Sequence, residues 1–282
     1  MGTLSTATTF KNKEAIALGG FDGMHRGHQK LFAELGKNGA IVVIDGGHFC
    51  LTPKDHRLEH TTYPLLYLDL KKIKHLQAKE FLELLKEYFP KLRKIVVGYD
   101  FYFGKDRAYS ALDLRELFDG EVVIVDEVKI DGISVHSRII REFIKKGNIH
   151  KANTLLGYNY TIEGKLIQGQ GIGAKELFAT INLKVEDFLL PKEGVYATLT
   201  QLDDEEHFYP SVSFIGHRVS TDGSFAVETH ILDQNVVCKE KAKISFIDFI
   251  RENQKFDSID ILKDAISKDI SKAKNIIQKL AL

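Results

Sequence analysis

Two histidines stand three residues apart, just after a Gly-Phe-Asp-Gly turn, in the stretch LGGFDGMHRGHQKLF at 18–32. If EAIAL forms a strand and HQKLFAEL a helix, the glycines let the backbone turn tightly, and the amides at the helix start attract phosphate. His25 and His28 then share one helix face. There they can donate hydrogen bonds, and carry positive charge if protonated, as charge develops on a departing pyrophosphate. The stretch predicts a site for polyphosphate chemistry.

Two other interpretations fit a His-x-x-His pair taken alone. The histidines can be surface residues of an ordinary strand-to-helix turn. They can also bind a metal ion, but no third His, Cys or carboxylate has a helpful spacing.

A second stretch, VVGYDFYFGKDR at 96–107, places an aromatic-flanked turn and a cation where another strand ends. A guanidinium in such a turn suits phosphate. The alternative for this turn is plain hydrophobic packing.

The string G-x-F-D-G-x-H-x-G-H resembles the nucleotidyltransferase signature in the form found in bacterial FAD synthetases. The stretch at 96–107 is similar to that family's Gly-x-Asp-Phe-x-Phe-Gly-x-x-Arg motif, and HSRIIR at 136–141 is similar to its Ser-Ser-Thr-x-Ile-Arg motif. His136 and Arg138 replace the first Ser and the Thr. The stretch VVIDGGHFCLTPKDHRLEH departs further, because the family has Thr-Phe-x-Pro-His-Pro there.

The resemblance implies catalytic roles for His25 and His28 in stabilising the leaving pyrophosphate. It implies a nucleotide- and phosphate-binding set of Gly20, Phe21, Asp22, Gly23, Gly27, Gly98, Asp100, Arg107, Ser137 and Arg141. Phe101 and Phe103 are the predicted flavin contacts of this half.

The second half resembles the riboflavin kinase module of the same bifunctional family, beginning at LLGYNYTIEGKLIQGQGIGAKELFATINL, 155–183. The resemblance implies a phosphate loop at Gly169, Gly171 and Gly173, and Mg²⁺ ligands at Thr180 and Asn182. Glu228, in FAVETHILD, is the predicted base that takes the proton of the attacking alcohol. Arg251 and Phe256 are the predicted flavin contacts.

The elements that must position these residues change in character along the chain. Short Val- and Ile-rich runs alternate with amphipathic stretches before residue 134, which favours an α/β fold with a parallel sheet. One or two connector helices with helical apolar spacing follow. Beyond them, alternating segments separated by Gly, Asp, Asn or Pro predict an antiparallel barrel or sandwich. A terminal helix presents an apolar stripe at Ile261, Leu262, Ala265, Ile266, Ile270 and Ile277.

We therefore expect an α/β plus β protein: a Rossmann-like nucleotidyltransferase domain over 1–150, including the connector, and a kinase β-barrel with its helix over 151–282. The resemblance implies that the protein phosphorylates riboflavin to FMN with ATP and then adenylylates FMN to FAD, with Mg²⁺ in both steps. Two alternatives stay open. One is a riboflavin kinase with a degenerate N-terminal domain, and the other is a flavin- or nucleotide-binding protein without turnover.

Composition limits the partners. The 282 residues, 44% of them hydrophobic, can bury a full core, and 39 basic residues balance 39 acidic ones. The balanced charge gives no overall electrostatic field that would favour binding to nucleic acid or to an anionic membrane surface. The chain lacks a long apolar run, and Cys50 and Cys238 match no zinc or redox spacing. We expect small-molecule substrates, no nucleic-acid or membrane partner, and a cytoplasmic location.

Overall fold

The computed structural model describes residues 10–47, 50–168, 178–220, 223–234 and 236–279. The chain divides into two compact units, residues 1–137 and 138–282. The predicted boundary after residue 150, between an adenylyltransferase domain and a kinase domain, stays a prediction.

The first unit alternates strands with helices. Its strands are β1 (Ala15–Gly19), β2 (Gly39–Asp45), β3 (Leu65–Asp69), β4 (Lys94–Gly98), β5 (Tyr102–Phe103), β6 (Tyr109–Ser110), β7 (Glu121–Val125), β8 (Lys129–Ile130) and β9 (Ile133–Ser134). Its α-helices are α1 (Arg26–Ala33), α2 (Leu70–Ile73), α3 (Ala78–Tyr88) and α4 (Ala111–Leu117), and 3₁₀ helices span Lys54–His60 and Lys105–Arg107.

A parallel sheet in the order β3-β2-β1-β4-β7 forms the centre of this unit. Ala15 of β1 pairs with Gly39 of β2 on one side and with Lys94 of β4 on the other. The central strands are apolar runs without polar alternation, which is typical of a sheet covered on both faces. The predicted strands in EAIALGGF, AIVVIDGG, RKIVVGYDF and EVVIVDEV are confirmed.

Alternate residues of β1 enter two different cores. Ile16 and Leu18 pack with apolar residues of α3 and α4, whereas Ala17 packs with Phe32 of α1. Because strand side chains alternate between faces, both faces of the sheet are buried. Because β1 and β4 are paired in parallel, their carboxyl ends are neighbours, and the predicted site residues follow these ends.

The second unit begins with two helices and continues as strands. Its helices are α5 (Ser137–Lys145), which begins at the boundary, α6 (Ile149–Leu156) and α7 (Ile259–Gln278). Its strands are β10 (Thr161–Ile167), β11 (Ile181–Val185), β12 (Gly194–Leu202), β13 (Phe208–His217), β14 (Phe225–Ile231) and β15 (Lys241–Glu252).

These six strands close into an antiparallel barrel in the order β10-β11-β14-β13-β12-β15. The strand alternation left a barrel or a sandwich open, and the barrel is confirmed. Closure removes the unpaired sheet edges that a sandwich would expose. The predicted α/β plus β-barrel fold class is confirmed as well.

Five buried hydroxyls form a closed hydrogen-bonded ring on β12, β13 and β14. Around the ring the order is Thr198, Ser211, Thr200, Thr229 and Ser213, and the oxygen separations are 2.8 to 3.0 Å. Each hydroxyl can donate once and accept once, so the ring satisfies all its members. The sequence analysis missed it.

The terminal helix α7 packs on the barrel through its C-terminal half. Ala273 is fully buried in a cluster with Val195 and Ala197 of β12, and Ile270 and Ile277 pack against that cluster. The predicted stripe is wrong at its start, because Ile261 is 52% exposed. The contact with β12 begins further along the helix than the spacing indicated.

Candidate functional site

The Gly-Phe-Asp-Gly turn joins β1 to α1 and has unusual backbone geometry. Phe21, Gly23 and Met24 all have positive φ angles, of 45°, 83° and 39°. Such angles are costly for the two non-glycine residues and persist only where surrounding structure enforces them. Here the Phe21 and Met24 side chains are buried in the core beneath the sheet. The buried Phe21 ring therefore anchors the turn to the core.

His25 caps α1, and its ring stacks on that of His28. The ring centroids are 3.5 Å apart and the planes differ by 17°. The His28 backbone amide donates to His25 Nδ1 over 3.3 Å. A neutral His25 that accepts at Nδ1 carries its proton on Nε2, so it can donate only from Nε2.

Burial keeps both imidazoles neutral. It lowers the pKa of His25 to about 3, with a further contribution from the nearby His136. Burial also lowers the pKa of His28 well below its usual value, and His25, Arg57 and His136 lower it further. Of the two modes open to the histidines, hydrogen-bond donation by neutral rings is therefore the one that fits these pKa values.

The segment after β2 braces the turn. The Asp22 carboxylate accepts the backbone amide of Leu51 over 2.7 Å, and the Gly23 amide donates to Thr52 Oγ1 over 2.9 Å. This is part of the segment whose sequence departs from the family pattern. The predicted phosphate-binding role of Asp22 stays a prediction. In the structure its carboxylate stabilises the turn by accepting the Leu51 amide.

Arg57 belongs to the same bracing segment, and the sequence analysis missed it. Its side chain is buried, Nε donates to the Phe21 carbonyl over 3.3 Å, and Nη2 donates to the Gly20 carbonyl over 3.4 Å. Nη1 and His28 Nδ1 are buried and have no hydrogen-bond partner in the part of the chain that the structure describes. The sequence spacing of Arg57 does not identify it as a site residue, because its position depends on the fold of residues 50–60.

The end of β4 supplies the second part of the site. The Phe101 amide donates to the Gly98 carbonyl over 3.1 Å and closes the turn. Phe103 is 5% exposed and packs in the core, with Phe101 stacked on it at a centroid distance of 5.9 Å. Tyr102 is an exposed aromatic ring of this turn, and the Arg107 guanidinium lies 5.4 Å from its centroid. Flavin contacts at Phe101 and Phe103 stay predictions.

The segment 134–137 completes this group. Ser137 Oγ donates to the Asp22 carbonyl over 2.7 Å, and His136 Nδ1 lies 3.8 Å from the exposed Asp100 carboxylate. A side chain at Gly27 would approach the Val135 carbonyl to 3.2 Å, so glycine suits that position. His136, noted at first only as a departure from the family pattern, therefore belongs to the site. Arg141 is part of the second unit, and its predicted role stays a prediction.

In the second unit, β11 and β14 bring two predicted residues together. Asn182 and Glu228 are direct partners across these strands. Asn182 Nδ2 lies 3.4 Å from the hydroxyl oxygen of Thr180, so the two predicted metal ligands are adjacent. Gly169, Gly171 and Gly173, the predicted phosphate loop, lie outside the described residues.

Arg218 joins Asn182 to Glu228 and was missed by the sequence analysis. Its Nε donates to Glu228 Oε1 over 2.8 Å, and its Nη2 donates to the same oxygen and, over 2.7 Å, to Asn182 Oδ1. Sequence spacing cannot show this contact, because it depends on the β13–β14 hairpin.

The predicted flavin contacts of the second unit lie beside α7. Arg251 makes an ion pair with Asp269 of α7, with Nη2 2.8 Å from Oδ2, and its guanidinium lies 5.3 Å from the Phe256 ring centroid. Both roles stay predictions, and the Arg251 charge already has a buried counter-charge.

The donor set at Thr180 and Asn182 fits Mg²⁺ better than a softer metal. Both side chains offer neutral oxygens, and Mg²⁺ usually keeps several waters and takes phosphate oxygens besides one or two protein ligands. Over the described ranges, no group of three His, Cys, Asp or Glu is arranged for a metal ion. Among the described helices, none is long and apolar enough to cross a membrane.

Comparison with known proteins follows this division of the chain. A family model described as riboflavin kinase matches residues 156–277, and one described as FAD synthetase matches residues 7–42. The shorter match includes the turn and both histidines.

Curated relatives match nearly the whole chain. The bifunctional riboflavin kinase/FMN adenylyltransferase of Listeria monocytogenes is 30% identical over 298 residues, covering 95% of this chain and 93% of that protein. The protein of the same name from Mycoplasma pneumoniae is 27% identical and covers 93% and 96% of the two chains. A crystal structure described as a macrolide-efflux protein from Streptococcus pneumoniae has a TM-score of 0.82 at 29% identity, covering 98% and 96%.

Proposed function

The chain belongs to the bifunctional riboflavin kinase/FMN adenylyltransferase family, and we propose that each unit carries one of the two reactions. Enzymes of this family act on ATP, riboflavin and FMN. The protein is a transferase that forms FMN from riboflavin and ATP, and FAD from FMN and ATP with release of pyrophosphate.

The kinase step is assigned to the face of β11 and β14. The observation that carries this assignment is the pairing of Glu228 with Asn182 across these strands. In the reaction, the 5′-hydroxyl oxygen of riboflavin bonds to the γ-phosphorus of ATP, and the bond from that phosphorus to the bridging oxygen breaks to release ADP. The Glu228 carboxylate accepts the hydroxyl proton.

Thr180 and Asn182 would hold Mg²⁺, which neutralises phosphate charge when bound. The proximity of the Thr180 hydroxyl to the Asn182 amide supports this assignment. Within the protein, the two side chains orient the nucleotide against Glu228.

The adenylyl transfer is assigned to the turn after β1. A phosphate oxygen of FMN bonds to the α-phosphorus of ATP, and pyrophosphate leaves with the electrons of the broken bond. Imidazole N–H groups of His25 and His28 stabilise the negative charge that develops on this leaving group. Neutral imidazoles suit this role, because each still has one N–H donor. The other predicted phosphate- and flavin-binding residues of the first unit belong to the same proposal.

The division of activities after residue 150 and a cytoplasmic location are also proposed. ATP is a substrate of both steps, which supports a compartment rich in ATP. Cys50 and Cys238 are both thiols, which agrees with a reducing compartment.

The test uses purified protein with riboflavin, ATP and Mg²⁺ and separates riboflavin, FMN and FAD by chromatography. We expect wild type to reach FAD, His28→Ala to stop at FMN, and Glu228→Gln to leave riboflavin unchanged but still convert supplied FMN. His75→Ala and Glu206→Gln are matched controls, because both residues are exposed.

A wild type that stops at FMN would overturn the adenylyltransferase assignment and favour a kinase with an inactive first unit. A wild type that makes neither product would overturn the enzyme proposal, leaving a binding protein.

A further inference from the structure

Arg218 is held in the hairpin between β13 and β14. Its backbone amide donates to the Ser224 carbonyl over 2.9 Å, and its carbonyl accepts the Gly223 amide over 3.1 Å. The guanidinium Nη1 donates to Ser224 Oγ over 2.8 Å. Backbone and side chain are thus both fixed, and the guanidinium is directed at the neighbouring strands.

One guanidinium binds one oxygen of each of two groups assigned to the kinase step. Glu228 Oε1 accepts from both Nε and Nη2 of Arg218, and Asn182 Oδ1 accepts from Nη2. Because Oε1 already accepts two N–H donors, it can accept the substrate hydroxyl only when one of those hydrogen bonds is given up. An amide oxygen that accepts from a cation is likewise unavailable to a metal ion. These two oxygens therefore become available only when Arg218 moves away from them.

Phosphate is the ligand that can produce this change. The Arg218 side chain is 18% exposed and the Glu228 side chain 20%, so the pair lies at the surface of the site. A planar guanidinium binds phosphate oxygens with two parallel hydrogen bonds. The terminal phosphate of ATP, bound near Thr180 and Asn182, would compete for the same donors.

We propose that Arg218 is a catalytic residue of the kinase step, which exchanges the oxygens of Asn182 and Glu228 for oxygens of the transferring phosphoryl group. This inference rests on the proposed kinase site. The exchange frees Asn182 for the metal and Glu228 for the proton of the hydroxyl. The bond from riboflavin oxygen to γ-phosphorus forms, the bond from that phosphorus to ADP breaks, and Arg218 stabilises the charge on the oxygens between them. Oε1 of the base becomes available only after the nucleotide has bound.

The test measures the kinase step in Arg218→Ala and Arg218→Lys, following FMN plus FAD formed from riboflavin. For Arg218→Ala we expect kcat to fall about 100-fold or more, as for arginines that bind a transferring phosphoryl group. The inhibition constant of ADP against this step should stay within about twofold, because ADP lacks the group that Arg218 contacts. Arg218→Lys should recover part of kcat, since Lys keeps the charge but lacks the planar fork.

Two controls separate catalysis from folding. Conversion of supplied FMN to FAD reports on the first unit and should not change in either variant. Lys274→Ala removes a cation of the same unit that pairs with the exposed Asp233, and it should leave the kinase step unchanged.

Three results would overturn the inference. A kcat for Arg218→Ala that equals or exceeds the wild-type value would show that the arginine does not assist the phosphoryl transfer. An ADP inhibition constant that rises in proportion to the loss of kcat would show that Arg218 supports the nucleotide site as a whole. If wild type itself forms no FMN, the proposed kinase function fails, and the inference fails with it.

Discussion

The rings of His25 and His28 stack face to face with 3.5 Å between their centroids, and His25 is buried while His28 is half-buried. Two charged imidazoles at that distance would repel, and burial would penalise both charges. The pair is therefore neutral at pH 7. A neutral pair acts on a departing pyrophosphate by directed hydrogen bonds, which depend on geometry that the bracing segment around Thr52 and Arg57 maintains.

The neutral pair predicts acid sensitivity of the fold. An unfolded histidine binds a proton near pH 6.5, but native His25 binds one only near pH 3, so the unfolded state holds more protons between these values. The stability that His25 contributes is complete above pH 6.5 and is lost as pH falls toward 3. The free energy of unfolding should fall by about 1 kcal/mol per pH unit for this residue. Calorimetric melting at several pH values should show a shallower pH dependence for His25→Gln.

The control for this dependence is His75→Gln, because His75 is exposed. It should follow the wild-type curve. Parallel curves for wild type and His25→Gln would contradict a neutral buried His25.

Arg57→Met should impair adenylyl transfer and spare the kinase step. Methionine keeps similar length but removes the donors to the Gly20 and Phe21 carbonyls, which hold the strained turn. We expect the rate of FAD formation from FMN to fall at least about tenfold, corresponding to the loss of one or two buried hydrogen bonds. Lys86→Met removes an exposed cation of the same unit and should have no effect. An unchanged rate in Arg57→Met would show that the turn keeps its shape without the guanidinium.

The sequence predicted best those features that depend on neighbours in the chain. The apolar runs around Ile16, Val42, Val96 and Val123 identified four strands of the parallel sheet, because each run is long enough to be buried on both faces. The Gly-Phe-Asp-Gly string placed His25 at the start of a helix for a similar local reason.

Features that depend on distant segments could not be predicted. Arg57 reaches a turn more than thirty residues away, and Arg218 reaches Asn182 across two strands. The hydroxyl ring was missed because Thr198 and Ser211 alternate with apolar residues as exposed strand residues do, although the barrel buries them. The protonation state of His25 could not be predicted, because its pKa depends on burial by segments that are distant in the sequence.

The hydroxyl ring predicts that Thr198→Val destabilises the barrel, although valine has the same shape. The substitution leaves Ser211 and Ser213 each without one buried partner, and we expect a loss of about 2 kcal/mol. Thr198→Ser keeps the ring and removes only a methyl group, so it should cost less, about 1 kcal/mol. Calorimetric melting of the two variants decides the order. A valine variant as stable as wild type would show that the ring adds no net stability.

The ion pair between Arg251 and Asp269 allows two roles of Arg251 to be tested separately. One is its contribution to stability, and the other is its predicted contact with flavin. Asp269 is buried and holds the guanidinium through Nε and Nη2. Asp269→Leu alone should cost about 2 kcal/mol, because it leaves the half-buried Arg251 charge without its partner. Adding Arg251→Met removes that charge and should restore most of the melting temperature. If Arg251 contacts flavin, the double variant still shows a raised KM for riboflavin. A riboflavin KM that returns with stability would instead assign Arg251 to anchoring α7 alone.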